Sequence, residues 1–383
     1  MTASFTPDRF EVFALSRAVD GGPKSSLAPM PTRNGLLIRV TSREGVSGWG
    51  EAWCNYPPRG NHSKLMLLQD VVLPTMLGRR VDRWDALRPQ LEQEFSRMMI
   101  HTGEYGPFTH CIAALDMAVA DIAARLQNQS LGELLCASGA PEPTVRVYCS
   151  TPDVERLETL IPEFEAAGHD CFKLKVGFDS ERDFRVIDRF RDCAAPTTSL
   201  CMDANQNWDV EQASRFLNRL ETQAVEFVEE PISADAPAGD WQSVARATSV
   251  PLAAGENITS EARFREHIDD RSLAVVQPDV AKWGGVSGAR DVGRHALAQG
   301  SRCCLHYMGT ALGLAASMHC LAAMGGDGRV ELDANPNPLR TALGELDLTV
   351  SKGCLNVPTG KGIGFEPDPQ SLTDFSVAQC DVH

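Results

Sequence analysis

The pattern of apolar and polar positions changes at about residue 145, where short aliphatic runs begin to alternate with longer amphipathic stretches. The amphipathic stretches, such as SERDFRVIDRFRDC (180–193), repeat apolar residues at spacings of three and four and predict helices. The short runs predict eight β-strands, at Val145–Cys149, Cys171–Val176, Ser199–Asp203, Val225–Glu229, Val250–Gly255, Leu273–Pro278, Ser301–His306 and Gly328–Leu332. Strands that alternate with helices favour right-handed crossovers and a parallel sheet, so this region predicts a closed (β/α)8-type barrel.

The chain on either side of the predicted barrel has a different pattern. GLLIRVTSREGVSGWGEAW (35–53) predicts a β-hairpin around a glycine-containing turn, and THCIAALDMAVADIAARLQ (109–127) predicts a helix with one apolar face. The tail is rich in glycine and strand-forming residues and is expected to fold back onto the N-terminal module. We therefore expect an α+β module over 1–140, a barrel over 141–340 and a returning tail over 341–383.

Charge and composition narrow the range of functions. The net charge is -15 and the sequence pI is about 5.1, which disfavours nucleic acid as a partner. We find no apolar run near the ~20 residues needed to span a bilayer and no export signal, so we expect a cytoplasmic protein without a membrane partner. The 12 cysteines are scattered without a C-x-x-C pair, a pattern typical of buried reduced thiols.

Polar residues recur near the ends of the predicted strands. They are Lys175, Asp203, Glu229, Glu256, Asp279, His306 and Glu331, separated by 28, 26, 27, 23, 27 and 25 residues. A step of this size is about one βα unit, so these side chains are expected to converge at the C-terminal mouth of the barrel, where such barrels place their chemistry.

Three of these residues predict a metal site. Asp203, Glu229 and Glu256 would form an all-oxygen set, which suits Mg2+ better than Zn2+. Glu230 is the rival of Glu229. Adjacent strand residues point to opposite faces, so only one of the two can face the site, and Glu229 is our prediction.

The remaining polar residues predict acid–base chemistry. In CFKLKVG (171–177) the apolar residues share one face of the strand, which places Lys173 and Lys175 together on the other. Lys175 would lie near a metal-bound anion. His306 paired with Asp279 would act across the mouth, because a carboxylate fixes the imidazole tautomer and raises its basicity. Such a site suits removal of a proton α to a carboxylate.

The order of motifs KLK, DANQ, VEEP, GEN, QPDVAKWGG, CLHYMG and VELD, with GWGEAW in the N-terminal module, resembles the mandelate racemase-like subgroup of the enolase superfamily. The resemblance covers nearly the whole chain. It implies a modified TIM barrel, (β/α)7β, capped by an α+β domain built from the N-terminal region and the C-terminal tail. It also implies Mg2+ on the three carboxylates, Lys175 as one base and His306 with Asp279 as the second acid/base. Lys173, Asn205 and Glu331 would contact the substrate carboxylate or adjacent oxygens.

Single positions refine this resemblance. Muconate-lactonising relatives carry a second catalytic lysine three residues before the lysine of their K-x-G-G segment, and here Asp279 stands three residues before Lys282. This disfavours the lactonising and dipeptide-epimerising branch, and we interpret Lys282 as structural. Loops that cover the mouth in relatives would here be AVDGGPKSSLAP (18–29) and WCNYPPRGNHSK (53–64). The second loop offers Trp53, Asn55, Tyr56 and Arg59 for substrate binding and suggests a hydroxylated acid.

These observations leave two hypotheses about the reaction. The first is a Mg2+-dependent lyase that dehydrates a sugar acid, an aldonate or an aldarate, to a 2-keto-3-deoxy acid. The second is an isomerase, a racemase or epimerase with Lys175 and His306 as opposed bases. A metal-dependent hydrolase would need a His-x-His pair after the first strand, which VRVYCST (145–151) lacks, and a non-catalytic protein would have no use for the full set. Relatives are commonly dimers or octamers, so we expect a homo-oligomer that binds a small carboxylate.

Overall fold

The computed structural model describes residues 4–22 and 30–383. Its strands are β1 (Pro7–Ala18), β2 (Thr32–Ser42), β3 (Ser47–Glu51), β4 (Thr144–Ser150), β5 (Cys171–Lys175), β6 (Ser199–Asp203), β7 (Val225–Glu229), β8 (Leu252–Ala254), β9 (Val275–Val276), β10 (Arg302–Cys303), β11 (Val330–Asp333), β12 (Cys354–Asn356) and β13 (Ser376–Val382). Its helices are α1 (Gly60–Leu67), α2 (Leu87–Thr102), α3 (Tyr105–Leu126), α4 (Leu131–Leu135), α5 (Leu157–Ala166), α6 (Ser180–Cys193), α7 (Val210–Leu220), α8 (Ala238–Arg246), α9 (Glu261–Asp269), α10 (Gly285–Ala298), α11 (Ala311–Met324), α12 (Pro338–Thr341) and α13 (Pro369–Phe375). Short π or 3₁₀ turns occur at Leu68–Val72, Leu73–Met76, Trp84–Ala86 and Val154–Arg156.

The parallel strands form a barrel of the (β/α)7β type. Strands β10 to β4 pair side by side in reverse chain order, and β11 pairs with β4. A parallel bridge between Leu305 and Val330 joins the two ends of this path. Each strand from β4 to β10 is followed by one of the helices α5 to α11. The barrel fold expected from the sequence is confirmed.

The antiparallel sheet joins both ends of the chain. Its strand order is β13-β1-β2-β3, so the C-terminal strand pairs with the first strand. The sheet packs on α3 through β3, and this approach requires glycine, because a Cβ at Gly50 would lie only 1.9 Å from the Ala114 carbonyl oxygen. The close packing brings the end of β3 to the mouth of the barrel.

Alternation along the barrel strands separates an apolar layer from a polar one. Seven interior residues, one from each strand from β4 to β9 and one just after β10, form a buried cluster: Tyr148, Cys171, Cys201, Phe227, Ala253, Val275 and Cys304. Two residues further along stand Lys173, Asp203, Glu229, Gln277 and His306. The strand period of two therefore places the polar residues directly above a packed floor.

Helix α3 differs from the sequence expectation about apolar runs. By length and composition alone it is the one helix in the described residues that could cross a membrane, whereas the sequence was expected to contain no apolar run of that length. In its most apolar 18-residue segment, 94% of the helix is buried inside the protein. This burial identifies the core helix between the antiparallel sheet and the barrel, where Ile112, Leu115, Val119 and Ile122 are fully covered.

A buried histidine joins three segments of the fold and predicts a pH dependence of stability. His319 in α11 accepts from the Gly132 backbone N–H at 3.1 Å through Nδ1 and donates to the Ile363 carbonyl at 2.9 Å through Nε2. Burial lowers its pKa from 6.5 to about 4. Below pH 6.5 the unfolded chain therefore binds the proton more readily than the folded one, and stability is lost as the pH falls toward 4.

Because of His319, the free energy of unfolding is expected to fall by about 2 kcal/mol when the pH is lowered from 7 to 5. The total loss approaches about 3 kcal/mol at still lower pH. His319→Gln is the comparison, because glutamine offers a donor and an acceptor but does not titrate. Urea unfolding at both pH values measures the difference. An equal loss of stability in the two proteins would contradict this assignment.

Candidate active site

Three carboxylates meet at the mouth of the barrel. Asp203 and Glu229 end β6 and β7 in register, and Glu256 follows β8. Ligand oxygens of the three lie within 4.8 Å of one another. Glu229 Oε1 is buried without a hydrogen-bond partner among the described residues. An unpaired buried carboxylate oxygen beside two other acids is costly unless a cation binds there, so the set fits a hard divalent cation.

The electrostatics of the acids lead to the same conclusion. Burial and, next, the neighbouring Asp203 raise the pKa of Glu229, although Lys173 opposes this. Glu230 faces a different partner: both of its carboxylate oxygens accept from Asn257 Nδ2, at 2.9 and 3.0 Å. Of the two adjacent glutamates, Glu229 is thus the one grouped with the other candidate ligands.

The two lysines of β5 face the acids inside the barrel. Lys173 Nζ lies 2.6 Å from Glu229 and 3.0 Å from Glu331, and the amine sits over the Tyr148 ring. Burial disfavours its charge, but these carboxylates outweigh burial and raise the pKa of Lys173 well above its usual range. Lys175 contacts Asp203 and also lines the cavity above the site. Lys173 is therefore a fixed cation, whereas Lys175 is exposed to a ligand.

His306 lies on another side of the acid cluster. Its Nδ1 is 2.7 Å from Asp279, and its Nε2 is 3.2 Å from Glu256 and 3.7 Å from Glu331. Burial lowers the pKa of His306, but Glu256, Glu331 and Asp279 together outweigh it and raise that pKa to about 9. With Nδ1–H held by Asp279, Nε2 is the atom that can exchange a proton at the cavity.

Residues of the N-terminal module complete this cavity of about 150 Å³. Its lining comprises Met30, Trp53, Asn55, Tyr56, Lys175, Asn205, Gln206, Glu256, Asn257, Lys282, His306 and Met308. Asn55 donates to the Met308 carbonyl at 2.6 Å, and the Trp53 backbone N–H donates to Ala281 at 2.9 Å. These bonds join the segment after β3 to the loops after β10 and β9.

Two parts of the predicted capping loops lie elsewhere. Arg59 immediately precedes α1 with φ 61°, is exposed, and is not among the described residues that line the cavity. Most of the other loop, 23–29, lies outside the described residues. Trp53, Asn55 and Tyr56 are therefore brought to the site, whereas Arg59 is not.

Glu51, at the end of β3, positions the loop that follows His306. Its carboxylate accepts from Tyr307 Oη at 2.7 Å, from Thr310 Oγ1 at 2.6 Å and from the backbone N–H groups of Thr310 and Gly313 at 2.9 and 3.0 Å. Burial raises the pKa of Glu51, which these donors oppose. One buried carboxylate thus connects the antiparallel sheet to the loop after His306.

We expect Glu51→Gln to lower the unfolding free energy by about 2 kcal/mol, because an amide nitrogen would face donors that need an acceptor. Thermal unfolding measures the effect. The exposed Glu345→Gln is the matched control, and equal midpoints for the two variants would show that the Glu51 bonds contribute little.

Three residues were missed or left as structural by the sequence reasoning. Gln277 donates to Glu229 at 2.7 Å, and Lys282 Nζ lies 2.8 Å from both Glu256 and Asn257. Gln277 stands two residues before Asp279, so strand alternation could have placed it on the same face. Lys282 and Asn257 lie beyond the strand ends, where alternation no longer predicts direction.

Two family models match the chain. Residues 11–136 match the model described as Mandelate racemase / muconate lactonizing enzyme, N-terminal domain, and residues 155–371 match the one described as Enolase C-terminal domain-like. The second match alone includes more than half of the chain. The first matched segment corresponds to the antiparallel sheet with its helices, and the second corresponds to most of the barrel.

Known proteins with related sequences and folds differ in their reactions. One similar protein is a mandelate racemase/muconate lactonizing enzyme from Bordetella bronchiseptica RB50, whose crystal structure is known. Its sequence is 37% identical, the match covers 97% of this chain and 99% of the other, and the TM-score is 0.88. D-galactarolactone cycloisomerase from Agrobacterium fabrum is 26% identical over 94% of this chain and 96% of its own length. L-talarate dehydratase from Polaromonas sp. JS666, solved with Mg and L-glucarate, is 22% identical, covers 99% of both chains and has a TM-score of 0.82, which shows a shared fold. Other curated relatives are an epimerase and a dehydratase.

Proposed function

We propose that this chain, which belongs to the mandelate racemase and muconate lactonizing enzyme family of the enolase superfamily, dehydrates a sugar acid to a 2-keto-3-deoxy acid. The observation that carries the proposal is the position of two acid–base groups beside one carboxylate cluster. Lys175 contacts Asp203, His306 lies against Glu256, and both line the same cavity. Asp279 occupies the position where lactonising relatives carry a lysine, so a histidine–aspartate pair replaces the second lysine base.

Asp203, Glu229 and Glu256 would hold Mg2+. The fit rests on the all-oxygen donor set and on the Glu229 oxygen, which has no partner in residues 4–22 and 30–383, and the L-talarate dehydratase structure with Mg supports it. When bound, Mg2+ supplies positive charge next to the substrate carboxylate, which stabilises the second negative charge that develops on it.

The residues of this chain would move the proton and the hydroxyl. Burial lowers the pKa of Lys175, but its contact with Asp203 outweighs burial and raises that pKa. With Asp203 holding the cation, this contribution would be withdrawn, and the neutral Lys175 amine would accept the α-proton. Lys173 stays charged against Glu229 and Glu331 and would supply fixed positive charge beside the cavity, where negative charge grows on the substrate. His306 gives its Nε2 proton to the β-hydroxyl, which leaves as water as the C–O bond breaks. The resulting enol then tautomerises to the 2-keto acid.

Polar groups around the cavity support a hydroxylated substrate. Asn55, Tyr56, Asn205, Gln206 and Asn257 line it. The Asn205 Oδ1 atom is buried without a partner among the described residues. This oxygen can therefore accept a hydrogen bond from a substrate hydroxyl. The names of several relatives, which include acid-sugar dehydratases, agree with this choice.

Racemisation or epimerisation is the second candidate function. It is favoured by the same pair, because Lys175 and His306 approach the cavity from β5 and from the loop after β10, and two bases on opposite faces of a carbon can invert it. The two reactions differ in one step: the β-hydroxyl leaves in dehydration and stays in racemisation or epimerisation.

The proposal is tested by incubating the protein with Mg2+ and a set of aldonic and aldaric acids, followed by detection of 2-keto acids as semicarbazones. A double variant, Lys175→Met with His306→Asn, is the control for background chemistry. Production of a 2-keto-3-deoxy acid by the wild-type protein alone supports dehydration. Inversion at the α-carbon without formation of a keto acid would contradict dehydration and support racemisation or epimerisation.

A further inference from the structure

A second cavity also has Lys175 in its lining. It measures about 170 Å³, and its lining includes Thr151, Phe178, Arg182 and Asn335 along with Lys175. Lys175 is the residue that the two cavities have in common among those described. Because Lys175 borders both cavities, a substrate with its α-carbon at Lys175 would have its far end next to this second cavity, here called the distal arm.

Thr151, which lines the distal arm, combines a strained backbone with a buried hydroxyl. Its φ of 58° is unusual for a β-branched residue and is held in place from both sides: Thr151 N–H donates to the Lys173 carbonyl at 2.9 Å, and its own carbonyl accepts from Asn335 at 2.9 Å. Thr151 Oγ1 is buried and has no partner among the described residues. Strain of this kind concentrates at functional sites, and an unpaired buried hydroxyl fits a ligand that supplies the missing bond.

The charges around the distal arm disfavour a second anion. Arg182 lines the arm and stacks on Phe178 at 4.4 Å, but its guanidinium is already paired with Asp183 at 3.3 Å. Two acidic residues, Asp153 and Glu155, line the same arm; Glu155 is exposed, and Asp153 Oδ1 accepts from the Glu155 backbone N–H at 3.2 Å. A terminal carboxylate would meet these two acids, whereas hydroxyl groups can bond to carboxylates, to guanidinium donors and to Thr151.

We propose that the distal arm binds the uncharged, hydroxylated end of the substrate, with Thr151 as a hydrogen-bonding residue for it. The substrate is then a longer aldonic acid and not the aldaric acid of the same length. This inference rests on the proposed function, because it places the α-carbon of a sugar acid at Lys175.

The first test compares substrates that do and do not reach the arm. A six-carbon aldonate is long enough to reach the arm, whereas glycerate has the same reacting carbons without the distal chain. Thr151→Val is expected to reduce kcat/KM for the aldonate about 10- to 100-fold, with little change for glycerate. Thr151→Ser restores the hydroxyl and should recover most of the loss. Equal losses on both substrates would overturn the role of Thr151.

The second test concerns charge. The wild-type protein is expected to favour the aldonate over the aldarate of the same length by at least about 10-fold in kcat/KM, because like charges repel in a confined site. Glu155→Gln should reduce this preference, whereas Glu158→Gln, an exposed glutamate paired with Arg189, should not. A wild-type preference for the aldarate would overturn the proposal.

Binding separates failure of the arm from failure of the proposed function. If no acid is dehydrated, calorimetric binding of the same aldonate and aldarate in the presence of Mg2+ still measures the selectivity of the arm. Tighter binding of the aldonate, weakened by Thr151→Val, would support the distal arm even though dehydration had failed. Equal binding of both acids would overturn it.

Discussion

Replacement of His306 with asparagine is expected to reduce kcat for dehydration by about a thousandfold or more. The reason is the loss of the proton donor for the departing hydroxyl, since positioned general acids contribute about 10²–10⁴ in rate. Asparagine cannot donate a titratable proton, although it occupies a similar space beside Asp279. Keto acid production under saturating substrate and Mg2+ measures the effect.

The same variant separates the two acid–base roles. Lys175 is unchanged in His306→Asn, so exchange of the α-proton with solvent should continue while elimination stops. Lys175→Met is the complementary variant and should lose both exchange and elimination. Retained dehydration in His306→Asn would contradict the role assigned to His306, and retained exchange in Lys175→Met would contradict that of Lys175.

Substitution of Glu229 with glutamine is expected to weaken Mg2+ binding and to reduce turnover about a thousandfold or more, because the cation supplies several kcal/mol of charge stabilisation in such reactions. Glu229 contributes the buried oxygen that has no hydrogen-bond partner within the described part of the chain. Mg2+ titration of activity and calorimetric binding of Mg2+ measure the two effects independently.

The adjacent glutamate provides a matched control. Glu230→Gln makes the same chemical change one residue away, at a carboxylate that accepts from Asn257. We expect it to retain Mg2+ binding much better than Glu229→Gln. The reverse order would show that Glu230, and not Glu229, is the ligand.

Most of the barrel could be predicted because two regular signals coincide. The βα step of 23 to 28 residues locates the strands, and the strand period of two sends Lys173, Asp203 and Glu229 to the same side. Strands β6 and β7 match the expected bounds fully, at Ser199–Asp203 and Val225–Glu229. The fold class and the family are confirmed, whereas the roles of the site residues remain predictions.

Other features could not be read in this way. The expected strands at Leu273–Pro278 and Ser301–His306 are only Val275–Val276 and Arg302–Cys303 in the structure, because an apolar run signals burial and not the length of backbone pairing. Thr151 has a left-handed backbone conformation. Its sequence does not predict this, because β-branched residues rarely adopt a positive φ. For Arg59, a loop composition suited to ligand binding did not indicate where the side chain would point.

The central claim is that Lys175 and His306 remove the α-proton of a sugar acid and expel its β-hydroxyl. Proton NMR in D2O, with Mg2+ and six-carbon aldonates, tests it most directly. We expect loss of the C2 proton signal and growth of a 2-keto-3-deoxy acid whose C3 carries one deuterium. An unchanged C2 proton in every aldonic and aldaric acid offered to the folded, Mg2+-supplied protein would contradict the account.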